Sequence, residues 1–127
     1  MFNGIIKNTG RLIKLEKKGK SCLIKLKTDL KFKKKEIGSS ISCSGACLTL
    51  KSYKGKVASF FLSFETLKKT NFLYKSKGSI INMEKSLKFG DRLSGHFVQG
   101  HVDTISKVNK INIVGKSWFV SFNISSR

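Results

Sequence analysis

Slid along itself by 96 residues, the chain matches itself without a gap. Gly4 falls on Gly100, Ile6 on Val102, Lys14 on Lys110, and the triplet Gly19-Lys20-Ser21 on Gly115-Lys116-Ser117. The apolar positions that follow agree as well: Leu23 with Phe119, Ile24 with Val120, Leu26 with Phe122. Lysine matches weigh little in a lysine-rich chain, but the Gly-Lys-Ser triplet in register with a distant glycine weighs more. Solenoid repeats are roughly 20–50 residues long, so a period this great means a duplicated domain. The first unit reads as residues 1–96 and the second as 97–127. The second copy is incomplete, about three strands of a barrel, since the counterpart of Gly38 would fall beyond Arg127.

Within the first unit the apolar pattern has the period of strands. Cys22, Ile24 and Leu26 alternate with Leu23, Lys25 and Lys27, one dry face and one wet. Arg11 to Leu15 is its partner around the turn Lys17-Lys18-Gly19-Lys20, and Phe2 to Ile6 reads as an earlier strand with a close backbone approach at Gly4. Thr28 to Glu36 is a basic loop with one helical turn. From Gly38 to Leu50 the residues are small. Ile41 and Cys43 share one face, and Ala46, Leu48 and Leu50 another, around the turn Ser44-Gly45. A strand over Val57 to Ser63, one or two helical turns over Phe64 to Asn71, a strand over Ser79 to Glu84 and a glycine-rich stretch over Phe89 to Gly100 complete the unit.

The formal net charge of +19 raises the question of nucleic acid. Only 3 of the 26 basic residues are arginine, the residue favoured for phosphate and base-edge contacts, and the lysines are scattered through every segment. Lysine-rich, proline-free composition also arises by drift at tolerant surface sites, so we expect a solvated surface and no nucleic-acid partner. There is no run of about 18 apolar residues and no signal-peptide pattern, and an odd count of three cysteines points to a reducing compartment; a cytoplasmic protein with no membrane partner is expected.

Metal-ligand spacing is absent. Cys43 and Cys47 are four apart across a turn, and His96 and His101, five apart, would face opposite sides of a continuous strand. On the residues alone, Cys47 reads as a small side chain in a buried hairpin, and Glu65 as a surface carboxylate answering nearby lysines. Either histidine is a candidate acid or base by its titration near neutral pH.

Several motifs, in order along the whole length, carry a family resemblance. Met1-Phe2-Asn3-Gly4-Ile5-Ile6, Gly38-Ser39-Ser40-Ile41, Gly45-Ala46-Cys47-Leu48-Thr49, Glu65-Thr66-Leu67-Lys68-Lys69-Thr70-Asn71, Gly90-Asp91-Arg92-Leu93-Ser94-Gly95-His96 and Gly100-His101-Val102-Asp103 resemble the motifs of riboflavin synthase. The chain departs from the family pattern at Ser44, where Asn is usual, and at Phe64, where Pro is usual. It also lacks most of a second barrel and the C-terminal helix through which the family trimerises.

The resemblance implies an all-β fold, a six-stranded Greek-key closed barrel followed by the incomplete second copy. It implies a transferase that converts two molecules of 6,7-dimethyl-8-ribityllumazine into riboflavin and 5-amino-6-ribitylaminouracil. No metal or organic cofactor is implied, and the family assembles as a homotrimer with each site between two barrels. Carried over by position, the pocket would be Gly4, Ile5 and Ile6; Cys47, Leu48 and Thr49; Phe61, Leu62, Ser63, Phe64, Glu65 and Thr66; and Gly100, His101 and Val102. Glu65 and Thr66 would meet the ribityl hydroxyls, and Ser40, Cys47 and His101 would be catalytic, with His96 structural. The sequence leaves two readings open, an enzyme and a barrel that holds lumazine or flavin without turnover.

Overall fold

The computed structural model describes residues 1–124; the last three residues of the expected second unit, 125–127, lie outside the described residues. Six antiparallel strands close into a barrel: β1 (Asn8–Lys18), β2 (Ser21–Thr28), β3 (Ser40–Cys43), β4 (Ala46–Lys54), β5 (Val57–Leu62) and β6 (Ile80–Lys85). Around the barrel the order is β1-β2-β5-β4-β3-β6, with β6 paired back to β1, so no barrel strand is left with an open edge. One short helix, α1 (Phe64–Lys69), follows β5.

Alternation fills the interior. Leu12, Ile24, Leu26, Leu50, Ala58, Phe60, Leu62 and Ile81 are fully buried, and Leu67 of α1 and Phe72 beyond it join the same core. Gly10 is required by packing: a Cβ there would lie 2.7 Å from the Met83 sulfur. The β3–β4 turn takes left-handed backbone at both Ser44 (φ 49°) and Gly45 (φ 88°), the geometry that matches strand twist in a two-residue hairpin.

Two segments differ from the sequence expectation. Phe2 to Ile6 is not a strand; its one ladder contact is an isolated bridge from Phe2 to Val98. The backbone donors of Asn3 and Gly4 are taken by the Glu84 carboxylate, and that of Ile5 by the Asn3 side chain, so they do not enter a ladder. Nor do His96 and His101 lie on a continuous strand, because left-handed backbone at Gly100 (φ 81°) breaks the extended run after the bridge.

The second copy contributes one hairpin, β7 (Lys107–Val114) and β8 (Ser117–Asn123), where about three strands were expected. It repeats the β1–β2 hairpin residue for residue. The bulge between Leu12 and Lys14 recurs between Val108 and Lys110, and the pairs Leu12–Leu26 and Leu15–Ile24 recur as Val108–Phe122 and Ile111–Val120. Every residue of this hairpin is exposed.

Candidate functional site

Three pieces of chain meet outside the barrel wall. The β3–β4 turn leads Ala46 and Cys47 into β4. Because β4 alternates, Ala46, Leu48 and Leu50 point inward and Cys47 is left on the outer face. After β5, the Ser63 hydroxyl accepts the Thr66 N–H at 3.1 Å and caps α1, which sets Glu65 and Thr66 on its first turn. The Thr70 hydroxyl donates to the Thr66 carbonyl at 2.7 Å and closes that helix. The returning segment is pinned by the Cys47 N–H, which donates to the Gly100 carbonyl at 2.9 Å.

Between them lies a cleft of about 410 Å³, within the usual size for a small-molecule site. Cys47, Glu65, Thr66, Gly100, His101 and Val102 line it, together with Ala46, Lys69, Thr70 and Asp103. Thr70 and Val102 also border a second hollow of about 470 Å³, whose walls include Ser44, Asn71 and Tyr74.

Burial separates the three thiols. Burial pushes the Cys43 thiol well up, with Cys47 nearby adding to the effect, and burial also raises Cys22. Both are sealed inside the barrel, so Cys47 is the thiol available to a ligand. In the cleft, the ammonium of Lys69 hydrogen-bonds Glu65 at 2.9 Å and holds its carboxyl below the ordinary range.

Six of the residues expected at the site are therefore together: Cys47, Glu65, Thr66, Gly100, His101 and Val102. Ser40 and Thr49 pair across β3 and β4 on the same outer face as Cys47, one step along the ladder, outside this cleft. Leu48 and Leu62 do not line it; both point into the barrel core, as strand alternation requires. Ser63 acts as the helix cap. Phe61 is half exposed on the outer face of β5, and the ammonium groups of Lys20 and Lys68 lie over the Phe64 ring, 5.8 and 5.6 Å from its centre. Gly4, Ile5 and Ile6 are exposed away from the cleft. His96 is exposed in the loop before the bridge.

Sequence reasoning missed Ala46, Lys69, Thr70 and Asp103. Lys69 and Thr70 lay within a recognised motif, four residues after Glu65 and Thr66, the spacing that stacks side chains on one helical face.

Known proteins resemble this chain in sequence and in fold. The family model described as lumazine binding domain matches residues 3–86. The riboflavin synthase of Buchnera aphidicola subsp. Baizongia pistaciae (strain Bp) is 34% identical over 110 residues, covering 86% of this chain and 52% of that protein. Those of Bacillus subtilis (strain 168) and Escherichia coli (strain K12) are 32% and 34% identical, over 87% of this chain and 52% and 53% of theirs. The chain thus spans about half the length of the curated relatives it matches. Among solved structures, LumP complexed with 6,7-dimethyl-8-(1'-D-ribityl) lumazine superposes with a TM-score of 0.78 over 98% of this chain and 69% of that one, at 22% identity. LumP complexed with riboflavin gives 0.77 over 98% of this chain and 68% of that one. At this identity the likeness is one of fold.

Proposed function

The chain belongs to the lumazine binding domain family, and we propose that its cleft binds 6,7-dimethyl-8-ribityllumazine and riboflavin as one half of a riboflavin synthase site. The observation that carries this reading is the junction of Cys47 and Gly100, which sets a thiol and the His101 imidazole beside the polar first turn of α1. A fused ring would lie against Cys47 and the backbone at Gly100. Its ribityl hydroxyls would meet Thr66, Thr70 and the Glu65 carboxylate, which is ionised at neutral pH and accepts hydrogen bonds.

In this reading the reaction is the transfer of a four-carbon unit from one lumazine to another, giving riboflavin and 5-amino-6-ribitylaminouracil. The ligand's own ring system stabilises the charge. The protein's part is to orient the rings and move protons. His101 would carry a proton to and from the ring substituents, and Cys47 would act as proton carrier or covalent helper. Ser40, beside Thr49 on the same sheet face, is the third proposed catalytic group.

The second lumazine must be presented by another surface. Among the described residues the second copy supplies β7 and β8 and no closed barrel, which favours binding over turnover for this chain by itself. Titration with riboflavin, followed by its fluorescence, tests the reading. Saturable quenching or polarisation is expected. No change up to near-millimolar ligand, with a folded circular-dichroism spectrum, overturns it.

A further inference from the structure

We propose that Glu84 is a positioning residue for the cleft, acting through the N-terminal arm; the role in ligand binding rests on the function proposed above. Glu84 lies on β6 with its side chain outside the barrel, since its neighbours Met83 and Ile81 fill the core. In the ladder it stands opposite Ser42 of β3, and Ser42 stands opposite Cys47 of β4. Glu84, Ser42 and Cys47 therefore form one row across three strands. Ser42, in the middle, is only 6% exposed although it is on the outer face.

The arm spans this row. At one end the two Glu84 oxygens accept the N–H groups of Asn3 (2.7 Å) and Gly4 (3.2 Å), a forked carboxylate clasp on successive donors. At the other end Phe2, 1% exposed, exchanges backbone hydrogen bonds with Val98, at 2.8 and 2.9 Å. The Phe2 ring is packed so closely that a Cβ on Gly100 would lie 2.9 Å from its edge and 3.0 Å from the Cys47 Cβ. The clasp on Asn3 and Gly4 thus holds Phe2, Phe2 holds Val98 and Gly100, and Gly100 places His101 beside Cys47.

The three cysteines supply the test. Cys22 and Cys43 are buried in the barrel and report global opening, whereas Cys47 reports the seating of the 98–101 segment. The full chain, Glu84→Ala and Glu84→Gln are reacted with an aromatic disulfide reagent without ligand, and each thiol is followed by mass spectrometry. Loss of the charged clasp is expected to speed labelling of Cys47 by about tenfold in the alanine variant and less in the glutamine variant, with Cys22 and Cys43 silent. The same variants should bind riboflavin correspondingly more weakly. Unchanged Cys47 labelling in both variants overturns the proposal, as does labelling of all three thiols together in both, which would make Glu84 a support of the barrel itself. Should the parent chain fail to bind riboflavin, the functional reading falls while the labelling result still decides the role of Glu84 in seating the segment.

Discussion

Phe2 and Val98, one repeat period apart, exchange both backbone hydrogen bonds, at 2.8 and 2.9 Å. Equivalent residues of the two copies thus pair with each other, as across a local two-fold axis. Each copy begins with an arm rather than a strand, and the two arms cross. The arm of the second copy brings Gly100, His101 and Val102 to the cleft of the first barrel. Its equivalents Gly4, Ile5 and Ile6 are turned away from that cleft, as the symmetry requires.

Gly100→Ala tests that arrangement. Left-handed backbone alone costs a non-glycine residue roughly 1–2 kcal/mol. Here the methyl group would also strike Phe2 and Cys47, at 2.9 and 3.0 Å. Gly45→Ala is the control, with φ 88° and open space around it. Both variants should lose stability, but Gly100→Ala should lose more and should also weaken riboflavin binding, by about tenfold or more. Thermal unfolding and fluorescence titration of the pair check this, and equal losses would mean that the close packing at Gly100 has no consequence.

Chemistry and binding should separate at Cys47 and His101. Cys47→Ser keeps a small polar side chain, and His101→Ala removes an exposed ring, so riboflavin affinity is expected to stay within about threefold in each. Little riboflavin should form from the lumazine by the chain alone, and each substitution should lower whatever is formed. Robust turnover by the chain would show that the described surface is sufficient for chemistry. Full turnover in both variants would remove the two residues from the proposed mechanism.

The barrel was legible because its strands alternate cleanly and its turns are marked by glycine. Ile41 and Cys43 share a face and Ala46, Leu48 and Leu50 share a face, as the period of two requires, but closure of the barrel makes both the inner face rather than two different ones. The same alternation shows why a contiguous motif overstates a site: along β4, Cys47 faces the cleft while Leu48 belongs to the core. The arms were misread as strands because their apolar residues look like strand residues. What decides the conformation of the first arm is a carboxylate 81 positions away in sequence, Glu84 on Asn3, and no local pattern carries that. Lys69 in the last turn of α1 and Thr70 just after it reach the cleft, which a motif read only for its acid and hydroxyl at 65 and 66 does not reveal.

Acid should weaken the clasp between the basic loop and β6. Glu36 accepts the Lys33 N–H at 2.7 Å and the Lys85 ammonium at 2.7 Å, and these hold its carboxyl below its ordinary value of 4.5. A carboxyl depressed in the folded state stabilises the fold fully above its unfolded pKa. That contribution is lost as pH falls from there through the lower folded value. Melting temperature should therefore decline on acidification from about pH 5, and Glu36→Gln should decline less steeply over the same range. Parallel curves for the two proteins would assign the acid sensitivity to other groups.

The final prediction concerns the hairpin of the second copy. Val108, Ile111, Ile113, Trp118, Val120 and Phe122 share one face, as the cross-strand pairs Val108–Phe122, Ile111–Val120 and Ile113–Trp118 dictate. In the first barrel the equivalent positions include Leu12, Ile24 and Leu26, which are fully buried. Here Trp118 is 66% exposed, and nothing among the described residues covers the face. Burying such side chains is worth roughly 1.5–3 kcal/mol each, so the chain alone is expected to self-associate through this face. A net charge of +19 opposes association, so added salt should promote it. Trp118→Ser with Phe122→Ser should reduce light scattering without lowering the barrel's melting temperature. Where the first unit ends is decided by two trimmed chains. Ending after Asp103 keeps Val98 on Phe2 and Gly100 on Cys47, and should give a monodisperse barrel with an intact cleft. Ending after Gly95 strips both contacts and uncovers Phe2, so the barrel should still fold but lose about 1.5–3 kcal/mol and its riboflavin site. Loss of cooperative unfolding in both trimmed chains would make the hairpin part of the first domain, and equal stability of the two would return the boundary to the end of residue 96.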